Sequence, residues 1–251
     1  MSGHSKWSTI KRKKGAADAA RGKLFTQLAR SITMTAREGG GDPDTNFNLR
    51  LAIDKARANN MPKDNIERAI KRGTGEDKSA AALEKISYEG YAPHGVALII
   101  ETVTDNRNRT VADLRHALTH GGGSLGEVGS VAWQFTPKAY FTFPTKGRDE
   151  NEIFELALEA GAEDVVFDEE SIEIVGAADT FKTISDRLRA AAIQADEAAL
   201  RMIPKQEVEL DIDKTLQVMR VIEELEDLDD VQRVDSNLAI TDAALEKLEV
   251  A

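Results

Sequence analysis

Between Ala139 and Ile203 the order of apolar runs and amphipathic stretches leaves few folds open to this chain. Ala139 to Phe143, Asp164 to Phe167, Ser171 to Val175 and Ala199 to Ile203 read as short strands. Asp149 to Ala160 and Asp179 to Ala192 read as helices, and Asp168, Glu169 and Glu170 supply a polar turn between the central strands. Strand, helix, strand, strand, helix, strand is the split βαβ sandwich of ferredoxin-like domains. Residues 136–204 are therefore expected to form an α/β domain of their own.

The flanks carry unfinished pieces of a second one. Ile86 to Gly90 and Gly95 to Thr104 have strand character, and a helix is expected to start with Thr110 as N-cap, Asp113 three residues on, and to end near His120 against three glycines. After the middle segment come a strand at Glu207 to Asp211, a helix at Asp213 to Leu228 and a strand at Val231 to Val234. These last elements lack partners of their own, so they most simply complete the sheet begun upstream. Residues 83–135 and 205–240 then form one discontinuous domain of the same sandwich type, with 136–204 inserted in it.

The first 75 residues follow a different period. Leu24, Leu28 and Ile32 recur every four positions between Ala16 and Glu38, and Gly39 to Gly41 followed by Asp42 and Pro43 end that helix. Leu49, Ala52, Ile53 and Ala56 mark the buried face of a second helix. A third carries Ile66, Ala69 and Ile70, with Asp64 and Glu67 at capping-box spacing and Gly73 after Lys71 and Arg72. Residues 16–75 read as a three-helix domain, preceded at 1–15 by a flexible basic arm without apolar periodicity and followed by a linker at 74–82. The fold class is thus α+β and multidomain.

Charge follows the same partition. Residues 1–75 hold 16 Lys and Arg against 7 Asp and Glu, whereas residues 76–251 hold 17 against 37, so a net charge of −11 hides a basic front end. Such an asymmetry suits a polyanion held by one end of the molecule, because Lys and Arg release counterions from phosphates. The chain has no Cys, which excludes disulfides, thiolate nucleophiles and Cys-ligated zinc. Its first apolar opportunity, Gly15 to Gly22, is broken by Asp18 and Arg21, and the apolar run Val96 to Ile100 is too short to span a bilayer. A cytoplasmic protein without membrane contact is expected.

The nucleic-acid contacts expected from these patterns are Lys6, Lys11, Arg12, Lys13 and Lys14 on the arm, with Trp7 to stack on a base, and Arg21, Lys23, Arg68, Lys71 and Arg72 on the helices. Asp105 to Thr110 concentrates two guanidiniums and two amides where a strand hands over to a helix. Arg107 and Arg109 there suit either a phosphate or neighbouring acids, and composition does not choose. Gly121, Gly123 and Gly126 have GxGxxG spacing but follow a helix and precede a strand, the wrong context for a dinucleotide. His116 and His120 have metal-ligand spacing without a third ligand, and His120 suits a helix C-terminus. No catalytic residue, metal site, cofactor or small-molecule substrate is evident.

Gly3 His4 Ser5 Lys6 Trp7, Gly39 to Asp44, Asn60 Met61 Pro62, Tyr88 Glu89 Gly90 Tyr91, Asp105 to Val111, Gly129 Ser130 Val131 and Met202 Ile203 Pro204 together resemble the YebC family over essentially the whole length. His94 is a small departure, in a turn where some relatives carry a small residue. The resemblance implies an N-terminal helical domain and two α/β domains, the third inserted in the second. It also implies a non-enzymatic regulatory role, which divides. Bacterial members are described as DNA-binding transcriptional regulators. Relatives including the mitochondrial translational activator of cytochrome c oxidase act on translation, at the ribosome or on messenger RNA. The expected partner is accordingly DNA, or ribosomal or messenger RNA, with the ribosome itself as a candidate.

Overall fold

The structure is a computed structural model, and it describes residues 3–4, 6–7, 10, 18–77 and 82–250. It has the mixed α+β architecture that the sequence implies: helices at the front, then two four-stranded sheets, each with helices. The chain divides into two compact units, Gly15–Val131 with Gln217–Val234, and Met1–Lys14 with Ala132–Leu216 and Asp235–Ala251.

The first unit opens with three helices, α1 (Asp18–Gly39), α2 (Phe47–Ala58) and α3 (Lys63–Gly73). Their core joins Leu28, Ile32 and Ala36 of α1 to Leu49, Ala52, Ile53 and Ala56 of α2 and Ile66 and Ala69 of α3. The buried Asn46 ties the first two helices together. Its side-chain amide donates to the carbonyls of Thr35 and Gly40, while its oxygen accepts from Leu49 N and caps α2. The capping box expected at Asp64 and Glu67 does not form: α3 starts at Lys63 after Pro62, which makes no side-chain cap, and Asp64 lies in the first turn. Gly73 has a packing role, since a Cβ there would collide with the Thr33 carbonyl of α1.

The sheet of this unit has the order β3-β1-β2-β8, built from β1 (Glu84–Tyr91), β2 (Ala97–Thr104), β3 (Ser124–Leu125) and β8 (Val231–Ser236). β1 and β2 pair antiparallel, with Tyr88 opposite Ile100. The connection between them places His94 in the left-handed region at φ 64°, where its ring pairs with the Gln217 side chain at 2.9 Å. Helix α4 (Arg107–His120) follows β2 directly. Its N-cap is Asn106, whose side chain accepts from Arg109 N, not the expected Thr110. Thr110 is buried one turn in and donates to Asn106 O and Asp230.

In the second unit, β4 (Phe135–Pro144), α5 (Glu150–Glu159), β5 (Ala162–Phe167), β6 (Ser171–Ala177), α6 (Phe181–Ala190) and β7 (Glu197–Pro204) follow the split βαβ order. The strands lie as β5-β6-β4-β7, all pairs antiparallel. Phe141, Phe143, Ile172, Ile174, Ile184 and Leu188 fill the space between sheet and helices. α7 (Ile212–Glu226) precedes β8, and α8 (Asp242–Val250), unanticipated from sequence, ends the chain. The strand expected at Glu207 to Asp211 reduces to one parallel bridge between Val208 and Leu238, because Val208 alone exchanges backbone bonds there, with Asn237 and Ala239.

Candidate nucleic-acid interface

α3 buries Ile66 and Ala69 and turns Arg68, Lys71 and Arg72 to solvent. Spacings of three and four make these side chains neighbours on the helix surface. None of the three makes an ion pair among the described residues, whereas nearby Lys63 reaches Glu67 at 3.5 Å and Arg57 reaches Asp54 at 3.7 Å. Arg21 is exposed on α1, and Lys23 pairs with Asp227 at 3.3 Å. The helical part therefore offers a short unpaired cationic face on α3 and partly compensated cations on α1.

The Arg-rich loop is built differently. Asp230 is buried and accepts from Arg30 at 2.5 Å, Arg109 at 2.9 Å, Thr104 at 3.0 Å and Thr110 at 2.7 Å. Burial alone would raise the Asp230 pKa, but the bonds from Thr110, Arg109 and Arg30 outweigh it and hold the carboxyl below its ordinary value. Hydrogen bonds to Asp230 and then to Asp105 push the Arg109 pKa up. Arg109 is thus committed to acids and positions the start of α4. Arg107 pairs with Glu84 through both Nε, at 2.6 Å, and Nη2, yet its side chain stays two-thirds exposed.

Arg107 also lines an open cavity of about 460 Å³ between β1 and α4, with Asn108, Val111 and Arg115 on the helix and Ile86 and Tyr88 on the strand. Burial raises the Tyr88 phenol pKa. Tyr88 and Arg115 were not anticipated as site residues, whereas Asn108 lies in the segment Asp105 to Thr110 singled out from the sequence. The signal for the helix residues was present, since 107, 108, 111 and 115 fall on one face at helical spacing. The neighbouring glycines serve packing: a Cβ at Gly123 would collide with the Tyr91 carbonyl, and one at Gly121 with Val221. His116 and His120 stack at 6.3 Å on the surface, and among the described residues no group of three His, Asp or Glu could hold a metal ion.

Of the arm, Lys11, Arg12, Lys13 and Lys14 lie outside the described residues. Trp7 does not have the exposure that base stacking requires. It and Ile10 are buried within the second unit, and Trp7 meets the His4 ring edge-on at 6.5 Å. The driving force is apolar burial of an indole and an isoleucine. A Cβ at Gly3 would collide with the Ile240 carbonyl, so the segment packs with no room for a side chain there. His4 Nε2 lies 2.8 Å from Leu238 O, and burial, reinforced by Arg201, lowers its pKa to about 4. Arg201 is held by the buried Asp235 at 3.0 Å, and its cation sits 4.9 Å from the Tyr140 ring centre. Lys6 pairs with Asp242 at 3.1 Å, and that hydrogen bond raises its pKa.

The TACO1/YebC protein N-terminal domain matches residues 5–76, and the TACO1/YebC second and third domain matches residues 83–238. A probable transcriptional regulatory protein of Chlorobaculum tepidum is 50% identical over 250 residues, 99% of each chain. One of the same description from Roseiflexus castenholzii is 53% identical over 251 residues, 98% of each chain. The crystal structure of a conserved hypothetical protein from Aquifex aeolicus superposes with a TM-score of 0.83 at 41% identity, covering 90% of this chain and 93% of that one.

Proposed function

The chain belongs to the TACO1/YebC family, and on that premise we propose that it is a non-enzymatic, DNA-binding transcriptional regulator that grips nucleic acid with its helical part. The observation that carries this is the face of Arg68, Lys71 and Arg72: three adjacent cations without ion pairs among the described residues, in a chain of net charge −11. Unpaired surface cations cost their own repulsion and gain most from a polyanion. The regulatory names of the relatives support the same reading, and with it a non-enzymatic role. No described helix is long and apolar enough to cross a membrane. We place the protein in the cytoplasm.

Within this reading Arg21 and Lys23 extend the contact, the arm residues Lys6 and Lys11 to Lys14 offer a contact of their own, and Arg109 does not take part. Trp7 contributes by anchoring the arm. For domain organisation we keep the three-part division at 16–75, 83–135 with 205–240, and 136–204, with the matched segments supporting a joint between residues 77 and 82.

The exposed cations of α3 suit phosphates at least as well as base edges. That favours shape-dependent binding and keeps a second reading alive, a translation factor holding ribosomal or messenger RNA. The test is binding of the full chain to duplex DNA and to a structured ribosomal RNA fragment across a salt series. The triple variant Arg68→Gln, Lys71→Gln, Arg72→Gln is expected to lower the slope of log affinity against log salt by about 2 to 3. An unchanged slope and affinity would remove α3 from the mechanism, and the preferred polymer decides between the two readings.

A further inference from the structure

The cavity between β1 and α4 has a composition that the phosphate-binding face of α3 lacks. Its walls are apolar where Ile86, Val111 and the Tyr88 ring meet, and its rim is polar, with Arg107, Asn108 and Arg115. Arg115 and Asn108 are exposed, and Arg115 makes no ion pair among the described residues. Arg107 is tethered to Glu84, which fixes the guanidinium plane at the rim and offsets part of its charge. The Asn108 side-chain amide at the mouth, a donor and an acceptor side by side, makes no hydrogen bond among the described residues. The Tyr88 hydroxyl has no hydrogen-bond partner among the described residues, although the side chain is half buried.

A flat aromatic and aliphatic wall, an amide and two guanidiniums within one recess are the parts needed for one nucleotide. The wall takes the face of a base, the amide its edge, and Arg115 its phosphate. A paired base presents neither its face nor its full edge, so duplex is a poor occupant and an unstacked nucleotide a good one. The volume lies within the ~300–1,000 Å³ typical of small-ligand sites. An acidic peptide would also meet the guanidiniums, but it would leave the Tyr88 face and the amide without a matching partner.

We infer that this cavity binds a single unpaired nucleotide of a nucleic-acid strand, its base against Tyr88 and Asn108 and its phosphate on Arg115. The inference rests on the nucleic-acid-binding reading above and assigns a second, structurally separate contact within it. The source is single-stranded RNA or locally melted DNA, which share this chemistry.

The test uses the full chain with labelled ten-nucleotide oligoadenylates, ribo and deoxy, each carrying one 2-aminopurine, and with a 20-base-pair DNA duplex. Binding should quench 2-aminopurine in the preferred sugar type. Tyr88→Leu, which keeps the apolar filling, should abolish the quench and weaken single-strand binding on the order of tenfold. Arg115→Ala, at an exposed position that the fold does not need, should lower the single-strand salt slope by about 0.7. Duplex affinity should not change in either variant. Wild-type single-strand affinity retained in both variants, or duplex binding without single-strand binding, would overturn the cavity assignment and leave the α3 reading intact. Failure of the wild type to bind any of the three would overturn both.

Discussion

Two sets of arginines in the helix-and-sheet unit look alike in the sequence and do opposite work. Arg30 and Arg109 converge on a buried carboxylate, Asp230, and Arg30 also donates to the carbonyls of Val103 and Asp229. Arg68 and Arg72 face solvent beside Lys71, with no ion pair among the described residues. The first set is spent on holding the chain together, because a desolvated charge demands a partner. The second is available to a ligand, because water already satisfies it and a phosphate can replace that water. Whether an arginine is committed within the fold or left to solvent therefore depends on a buried carboxylate beside it, and a count of positive charges does not reveal it.

The comparison predicts its largest effect at Asp230. Asp230→Ala leaves two guanidiniums and two threonine hydroxyls without their shared acceptor, and removing one partner of a buried ion pair costs about 3–5 kcal/mol. Urea unfolding should show that loss as a lower midpoint. The protein that remains folded should keep its wild-type salt slope for nucleic acid. A loss under about 1 kcal/mol, the range of an exposed pair, would place Asp230 with the surface charges and break the distinction.

Most of the architecture was legible because its signals are local. The four apolar residues that mark α2 in the sequence, Leu49, Ala52, Ile53 and Ala56, are the four it buries. The strand and helix order from Ala139 to Ile203 led directly to the sheet β5-β6-β4-β7, since each piece carries its own period. What was not legible depends on distant partners. Arg109 meets Asp230 across 121 positions, and nothing near Arg109 announces it. Trp7 next to Lys6 looks like a stacking residue until His4 is found against Leu238, 234 positions away. At the start of α4, Asn106 and Thr110 both qualify as caps by residue type; Asn106 takes the role by accepting from Arg109 N, and Thr110 lies one turn inside, where it donates to the distant Asp230. Arg115 was missed for a different reason: its spacing from Arg107 was visible, but that spacing carries no signal until the strand opposite supplies Tyr88.

The arm extends the comparison to pH, with a middle-sized effect. Free imidazole titrates near 6.5, and folded His4 near 4, because burial and then Arg201 disfavour its charged form. Between those values the unfolded chain takes up a proton that the folded chain refuses. The His4 contribution is thus fully present above pH 6.5 and is lost as pH falls towards 4. From pH 7 to pH 5 the wild type should lose about 1–2 kcal/mol more than His4→Gln, allowing for partial exposure. Asp230 does not interfere, since its depressed pKa confines its loss to pH below the ordinary 3.8. Parallel stability profiles for wild type and His4→Gln would show that the arm does not hold His4 against protonation.

The smallest effect on stability belongs to the cations proposed to bind nucleic acid. Arg68 sits mid-helix on an exposed face, and its loss should change stability within about 0.5 kcal/mol. Lys71 and Arg72 lie in the last turn of α3, where a positive charge faces the negative end of the helix dipole and contributes about 0.3–1 kcal/mol at low salt. Opposing this, the three like charges at spacings of three and four repel one another by a similar amount. The two terms nearly cancel, so the triple glutamine variant should unfold within about 0.5 kcal/mol of wild type while its salt slope for nucleic acid falls. A stability loss near that of Asp230→Ala would mean that these cations are structural after all, and the contrast between committed and available arginines would not hold.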